Sequence, residues 1–356
     1  TEIELGLDLR FIKDRGNLSF TYYNNTTKDL IIQVDVAESS GFVSQISNAA
    51  EITNTGIEIE AGFDVFKTDD WLINIYGNYT RNKNEVTDLG EITQINSGIG
   101  GADTHRTVVG ESLGHFYGYK TDGLYQNDAE VAAALPDANS PFGPEPGDIR
   151  FVDVNGDGEV NADDRTIIGS PFPGFYYGMN FNAEYKGLDF SINFRGVGNK
   201  QVYNSAREGL EGLSGGNNFS TQVLDRWTGE GTTNSSSNPR LAFDQVLIEG
   251  ELRDVIDKNG NNRYSDRWIE DSGYLRIQNI QLGYNLSQDL LSKWSNDMIS
   301  NFRIYVGAQN LATFTKYSGY DPEVGRTQSY QKGEFTLATG QDGGASPLPR
   351  IIQLGL

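Results

Sequence analysis

The chain has 356 residues, a formal charge of −21, no cysteine and two histidines, His105 and His115. That charge repels nucleic-acid phosphates, and the missing thiols exclude disulfide scaffolds, cysteine catalysis and, with so few histidines, histidine-rich zinc sites. The 42 glycines with 18 Tyr and 18 Phe suit strands and turns, and no apolar run approaches the ~20 residues of a membrane helix.

Residues 1–13 alternate Ile3, Leu5, Leu7, Leu9 and Phe11 against Glu2, Glu4, Asp8 and Arg10, which predicts a strand long enough to cross a membrane. A turn at 14–17 leads to a second strand with Leu18, Phe20 and Tyr22 on one face. After a connection of roughly 25 residues, a third strand sets Ile57, Ile59, Ala61, Phe63 and Val65 against Glu58, Glu60 and Asp64. The fourth carries Trp71, Ile73, Ile75 and Tyr79 opposite Asn74 and Asn78. The longest connection follows, residues 82–173, with a short helix expected at 128–135.

Inside that connection, residues 153–164 repeat the spacing of an EF-hand loop, which needs oxygen donors at positions 1, 3, 5, 7, 9 and 12 and glycine at 6. Those slots hold Asp153, Asn155, Asp157, the Glu159 carbonyl, Asn161 and Asp164, with Gly158 sixth. The pattern predicts one structural calcium ion. The competing reading is an acidic, glycine-rich surface turn. Magnesium suits the pattern less, because it keeps several waters and is seldom caged by protein alone.

The fifth strand sets Tyr177, Met179, Phe181, Ala183 and Tyr185 against Asn180, Asn182 and Glu184, then turns at Lys186 and Gly187 into a sixth with Leu188, Phe190, Ile192 and Phe194. A second long connection, 198–271, holds expected helical pieces near 207–213 and 221–227. In the seventh strand the apolar phase slips between Ile277 and Ile280, which predicts a β-bulge near Gln278. Ile304, Val306 and Ala308 mark the eighth strand, and Ile352, Leu354 and Leu356 the ninth.

Short and long connections alternate, and each strand pairs an apolar face with one carrying Glu, Asp, Asn and Arg. An all-β transmembrane antiparallel β-barrel, with tight periplasmic turns and long extracellular loops, has both features. Phe11, Trp71, Tyr185 and Trp294 at the short turns, and Tyr22, Tyr23, Tyr79, Tyr176 and Tyr274 at the long loops, are the expected aromatic girdles. A soluble β-sandwich also alternates, but its strands are usually shorter, about 5–6 residues. Nine strands leave two open edges that hydrocarbon does not allow, and bacterial single-chain barrels have even strand numbers. The expectation is therefore about nine strands of a larger barrel, with upstream strands and a few residues after Leu356 lying outside residues 1–356.

Gly147, Asp148, Ile149, Arg150 and Phe151 running into the EF-hand-like loop, then Ile168 to Pro171 and Pro173, resemble the C-terminal barrel of SusC-like, RagA-type TonB-dependent transporters. So do Ser272, Gly273, Tyr274, Leu275, Arg276, Ile277, Gln278 and Asn279, and the run Tyr305 to Leu311. The resemblance covers essentially the whole chain. It implies the C-terminal portion of an outer-membrane barrel that imports oligosaccharides or peptides, with a SusD-like surface lipoprotein as partner and TonB acting through a region, like the plug domain, outside this chain. The alternative function is an extracellular calcium-binding adhesion or scaffold protein, since dockerin modules carry similar loops, normally in pairs. An enzyme is not expected, because regular alternation explains Glu58 with Glu60, and ligation explains Asp163 with Asp164. Tyr117, Tyr119, Tyr125, Tyr203, Trp227 and Trp268 either stack on sugar rings or pack the loops themselves.

Overall fold

The computed structural model describes residues 1–35, 39, 41–42, 44–99, 102–213, 218–295, 298–323 and 337–356. Nine strands form one antiparallel sheet: β1 (Glu2–Phe11), β2 (Gly16–Asp35), β3 (Ser44–Lys67), β4 (Trp71–Asp88), β5 (Phe175–Tyr185), β6 (Leu188–Gly198), β7 (Tyr274–Asn285), β8 (Arg303–Thr315) and β9 (Ile351–Gly355). Each pairs with its neighbour in chain order, so the sheet is a meander whose edges are β1 and β9. The β5–β6 turn needs only Lys186 and Gly187, both at positive φ (45° and 86°), which matches the tight hairpin turn whose twist suits antiparallel strands. The expected bulge is present. Asn279 faces Asn193 and Ile277 faces Phe194, which leaves Gln278 as the extra residue that re-phases the strand.

Register decides what each face carries. Leu9, Leu18, Ala61, Gly77, Met179, Phe194, Ile277 and Ala312 stand opposite one another across eight strands. The adjacent row, on the other face, is Asp8, Ser19, Glu60, Asn78, Gly178, Arg195, Arg276 and Thr313. Leu7 and Ile304 lie on the apolar face, 52% and 41% exposed, and among the described residues no buried apolar side chain comes from the middle of the nine strands. A sandwich would cover that face with a second sheet. Here nothing among the described residues covers it, so the apolar row is suited to a hydrocarbon surrounding and the polar row to an aqueous interior.

At the tight-turn end, Trp71 stacks on Tyr185 with ring centroids 4.1 Å apart, and Trp294 meets Phe302 at 5.9 Å. The opposite girdle differs from the sequence expectation. Tyr22 and Tyr79 do lie on the apolar face, but Tyr23, Tyr176 and Tyr274 fall in the polar rows. Tyr23 faces Glu4 and hydrogen-bonds Asn82 at 3.2 Å. Tyr177, one residue on from Tyr176, takes the outward place.

The expected 25-residue connection between the second and third strands is mostly strand. β2 and β3 continue pairing as far as Asp35 and Ser44. Their polar run through Asn24, Asn25, Thr26, Thr27 and Lys28 hides the alternation. The extension is held by a small core of Ala50, Val86 and Leu89, onto which Leu30, Ile52, Ile92, Ile95 and Leu113 pack. β4 likewise runs to Asp88, so the longest connection spans 89–174 rather than 82–173.

Candidate functional site

The long connections form a packed layer over one end of the sheet. Residues 89–174 contribute the strands Gln94–Ile99, Ala102–Val108, His115–Gly118, Thr121–Leu124, Ile149–Phe151 and Thr166–Gly169, and the helix Asp128–Ala132 inside the expected segment. Residues 199–273 contribute Gln201–Asn204, the helix Ser205–Glu211, a 3-10 turn at Thr221–Asp225 and the hairpin of Phe243–Ile248 with Glu251–Ile256. The aromatics considered for sugar stacking make the cores of this layer. Phe116, Tyr203 and Trp268 form one cluster; Tyr119, Leu124, Ile149, Phe151 and Val160 form another, with Trp227 against it. Tyr117, Tyr119, Tyr203 and Trp268 are buried, and Tyr203 lies flat on Tyr264 with centroids 4.1 Å apart. These four rings pack the loops and offer no open face to a sugar, while Tyr125 and Trp227 are half-buried.

Asp148 ties the two longest connections together. It is 0% exposed, and its carboxylate accepts from the Glu145 N–H (2.8 Å), Asn261 Nδ2 (2.9 Å) and Arg240 Nε (2.8 Å). Asn261 in turn accepts the Ile149 N–H on its Oδ1 at 2.8 Å. Burial works against the charge on Arg240, but Asp244 and Asp148 outweigh it and raise the guanidinium pKa. Gly147 precedes this residue at a φ of 91°, and a Cβ there would come within 2.4 Å of the Trp227 ring, so glycine is needed for both reasons.

The EF-hand-like loop lies beside this hub, with Val160 pinning it to the aromatic core. Gly158, sixth in the loop, has a φ of 92°, and its N–H donates to Asp153 Oδ2 at 2.9 Å. Asn155, Asp157 and Asn161 each accept the N–H two residues on, at 2.9, 3.0 and 2.7 Å. Asp164 is buried and accepts from Val154 (2.7 Å), Asn155 (3.3 Å) and Asn161 (2.8 Å). Burial raises the Asp164 pKa, but those backbone donors outweigh it and bring the net shift below the usual range. The loop thus gathers all six predicted residues into one turn and sets Asp153 beside Asp164. It turns Asp157 aside, where Oδ2 accepts Asn155 Nδ2 at 3.0 Å. Among the described residues, no three His, Cys, Asp or Glu side chains converge closely enough to hold a metal as they stand.

Sequence reasoning missed the charge cluster on the polar face. Arg276 is 3% exposed; Asp321 holds it at 2.6 Å and Glu323 at 2.8 Å, both from the connection between β8 and β9. Its partners lie 45 and 47 residues away, so no local pattern announced them.

The TonB-dependent receptor-like β-barrel family model matches residues 1–199. The chain is similar to TonB-dependent receptor P3 of Formosa agariphila, 32% identical over 363 residues that cover 100% of this chain and 33% of that protein. It is also similar to TonB-dependent receptor SusC of Bacteroides thetaiotaomicron, 27% identical over 90% of this chain and 29% of that protein. The chain spans about a third of the length of the curated relatives it matches. The structure of the RagAB peptide transporter superposes with a TM-score of 0.72 at 22% identity, covering 98% of this chain and 34% of that one, which shows the shared fold. With a nine-strand meander, a loop layer at one end and a family model over more than half its length, the chain belongs to the TonB-dependent receptor-like β-barrel family.

Proposed function

We propose that the chain is the C-terminal wall of an outer-membrane channel that imports oligosaccharides or peptides with energy supplied through TonB. The observation that carries this reading is the pair of adjacent register rows, apolar on the uncovered face and charged or amide-bearing on the other. Two further points support it: the relatives are named TonB-dependent receptors, and the superposable RagAB assembly is described as a peptide transporter. In this reading the loop layer faces the cell exterior and receives a SusD-like surface lipoprotein, while TonB acts through a region outside residues 1–356.

One calcium ion is part of the proposal. Asp153, Asn155, Asp157, the Glu159 carbonyl, Asn161 and Asp164 would hold it, after Asp157 releases Asn155. The ion would offset the repulsion between neighbouring carboxylates and pin the loop above the channel mouth. The test of the main reading is uptake of fluorescent oligosaccharides and peptides by cells with and without the complete transporter, before and after an uncoupler. Uptake lost on deletion and on uncoupling is expected. A protein recovered from the aqueous fraction without detergent, or uptake indifferent to deletion, overturns it.

A further inference from the structure

Arg195 on β6 and Arg276 on β7 are directly opposite each other on the polar face. Like charges so placed repel, and the pair persists when an anion bridges it. Glu323 is that bridge, with Oε1 2.9 Å from Arg195 and Oε2 2.8 Å from Arg276, while Asp321 takes a second Arg276 nitrogen at 2.6 Å. Lys200 joins from the long-connection side, donating to the Pro322 carbonyl at 3.1 Å. A cavity of about 310 Å³ opens against this cluster, lined by Arg276, Thr313, Tyr320, Asp321, Leu348 and Arg350. Among the described residues the Arg350 side chain has no hydrogen-bond or ion-pair partner, so its guanidinium is free to receive an anion at the cavity wall. Among the described residues three arginines, Arg195, Arg276 and Arg350, meet two carboxylates here, a local positive excess in a chain of net charge −21.

We propose that this cavity is a subsite for a carboxylate-bearing group of the transported ligand. Asp321 and Glu323 already display the preference, because each seats carboxylate oxygens on guanidinium nitrogens through charge-assisted hydrogen bonds. Arg350 supplies the next such contact, and Tyr320 and Leu348 supply an apolar wall for the carbon skeleton. The proposal rests on the import reading for what becomes of the ligand, but the binding itself requires no transport.

The complete transporter, purified in detergent micelles, is titrated by calorimetry with four probes. Trigalacturonate is compared with its methyl ester, and a capped peptide carrying two Glu residues with its Gln counterpart. Arg350→Gln should weaken the acidic probes by about three- to tenfold, the loss of one charge-assisted contact at a partly open site. Glu323→Gln, which releases Arg195, should strengthen them by a similar factor, and neutral probes should change less than about twofold for either variant. Response by trigalacturonate alone assigns an acidic glycan, by the peptide alone an acidic peptide, and by both the shared carboxylate chemistry. The inference is overturned if no acidic probe binds at millimolar concentration, if acidic and neutral probes respond alike, or if Glu323→Gln weakens acidic binding. Energised uptake is not measured, so failure here leaves the import reading standing, and failed uptake with intact acid-selective binding leaves the subsite standing.

Discussion

Replacing Asp148 by Asn keeps the side-chain volume but removes the charge that answers Arg240. Either way round, the new N–H₂ group faces donors: Asn261 Nδ2 and Arg240 Nε, at 2.9 and 2.8 Å, at one oxygen position, or the Glu145 N–H and Arg240 Nη2, at 2.8 and 3.3 Å, at the other. Breaking one partner of a buried ion pair costs about 3–5 kcal/mol, because a desolvated charge is left uncompensated. Arg240 retains Asp244, at 2.6 Å, so the lower end, about 3 kcal/mol, is the better figure. At about 1.4 kcal/mol per tenfold, local opening of the loop layer should then increase roughly two orders of magnitude. Hydrogen exchange on the complete transporter in micelles reads this directly at the Ile149 amide, whose N–H is bonded to Asn261 Oδ1. Amides in the centres of β5 and β6 should keep their protection, because their ladder does not include the hub. Unchanged exchange at Ile149, or equal loss of protection in the sheet, would refute the assignment of Asp148 as a hub confined to the loop layer.

Three further outcomes follow from the same contacts. Arginine on the apolar face should cost about 2–4 kcal/mol at mid-belt and much less near its rim. Ile192, opposite Phe181 and well clear of the Trp71–Tyr185 stack, is the mid-belt site, and Phe190 lies nearer the turn, so Ile192→Arg should lower resistance to urea unfolding more than Phe190→Arg; the reverse order would count against the assigned belt. Asp157→Ala should abolish calorimetric calcium binding and loosen residues 153–164 with the barrel still folded, and absence of binding by the parent protein at millimolar calcium would leave the loop an ordinary acidic turn. His105 is buried, with Nε2 2.8 Å from the Thr339 carbonyl, and burial lowers its pKa to about 4, so the unfolded form binds the extra proton and the local stability present above about pH 6.5 falls between there and pH 4. Its ring resonances should show no titration near 6.5 by NMR, and His105→Gln should remove the added acid sensitivity of that segment.

The strands were legible because a period of two residues is a local property. Alternation at Ile3 to Phe11 or Tyr177 to Tyr185 needs no knowledge of the partner strand, and the phase slip between Ile277 and Ile280 located the bulge at Gln278 for the same reason. What alternation left open was which tyrosines face lipid, since Tyr176 and Tyr177 are adjacent and only pairing with Thr80 and Tyr79 separates them. The extension of β2 and β3 was hidden because its support, Val86 and Leu89, comes from the next strand end. The EF-hand-like turn was legible down to its glycine, yet its hub was not: Asp148 and Asn261 are separated by 113 residues. Arg276 could be quoted from its motif while its role stayed unreadable, because Asp321 and Glu323 are set beside it only by the fold.

This division has an energetic counterpart. A strand in hydrocarbon is held by its ladder and by the match of its apolar row to the surroundings, and it needs no side-chain core. The connections stand in water and have no such help, so they must bury apolar surface themselves, which is why Phe116, Leu124, Ile149, Trp268 and the buried polar hub all lie there. Packing of that kind orders more than seventy residues between β4 and β5 in a region where binding partners would dock, and ordering a backbone costs about 1–2 kcal/mol per residue unless contacts offset it. A charged hub then does something an apolar one does less well: Asp148 accepts only from donors in fixed directions, so it sets the position of residues 145–149 relative to 240–261 as well as holding them together. The two layers should therefore fail independently, with substitutions at Ile192 registering in the sheet and those at Asp148 in the connections.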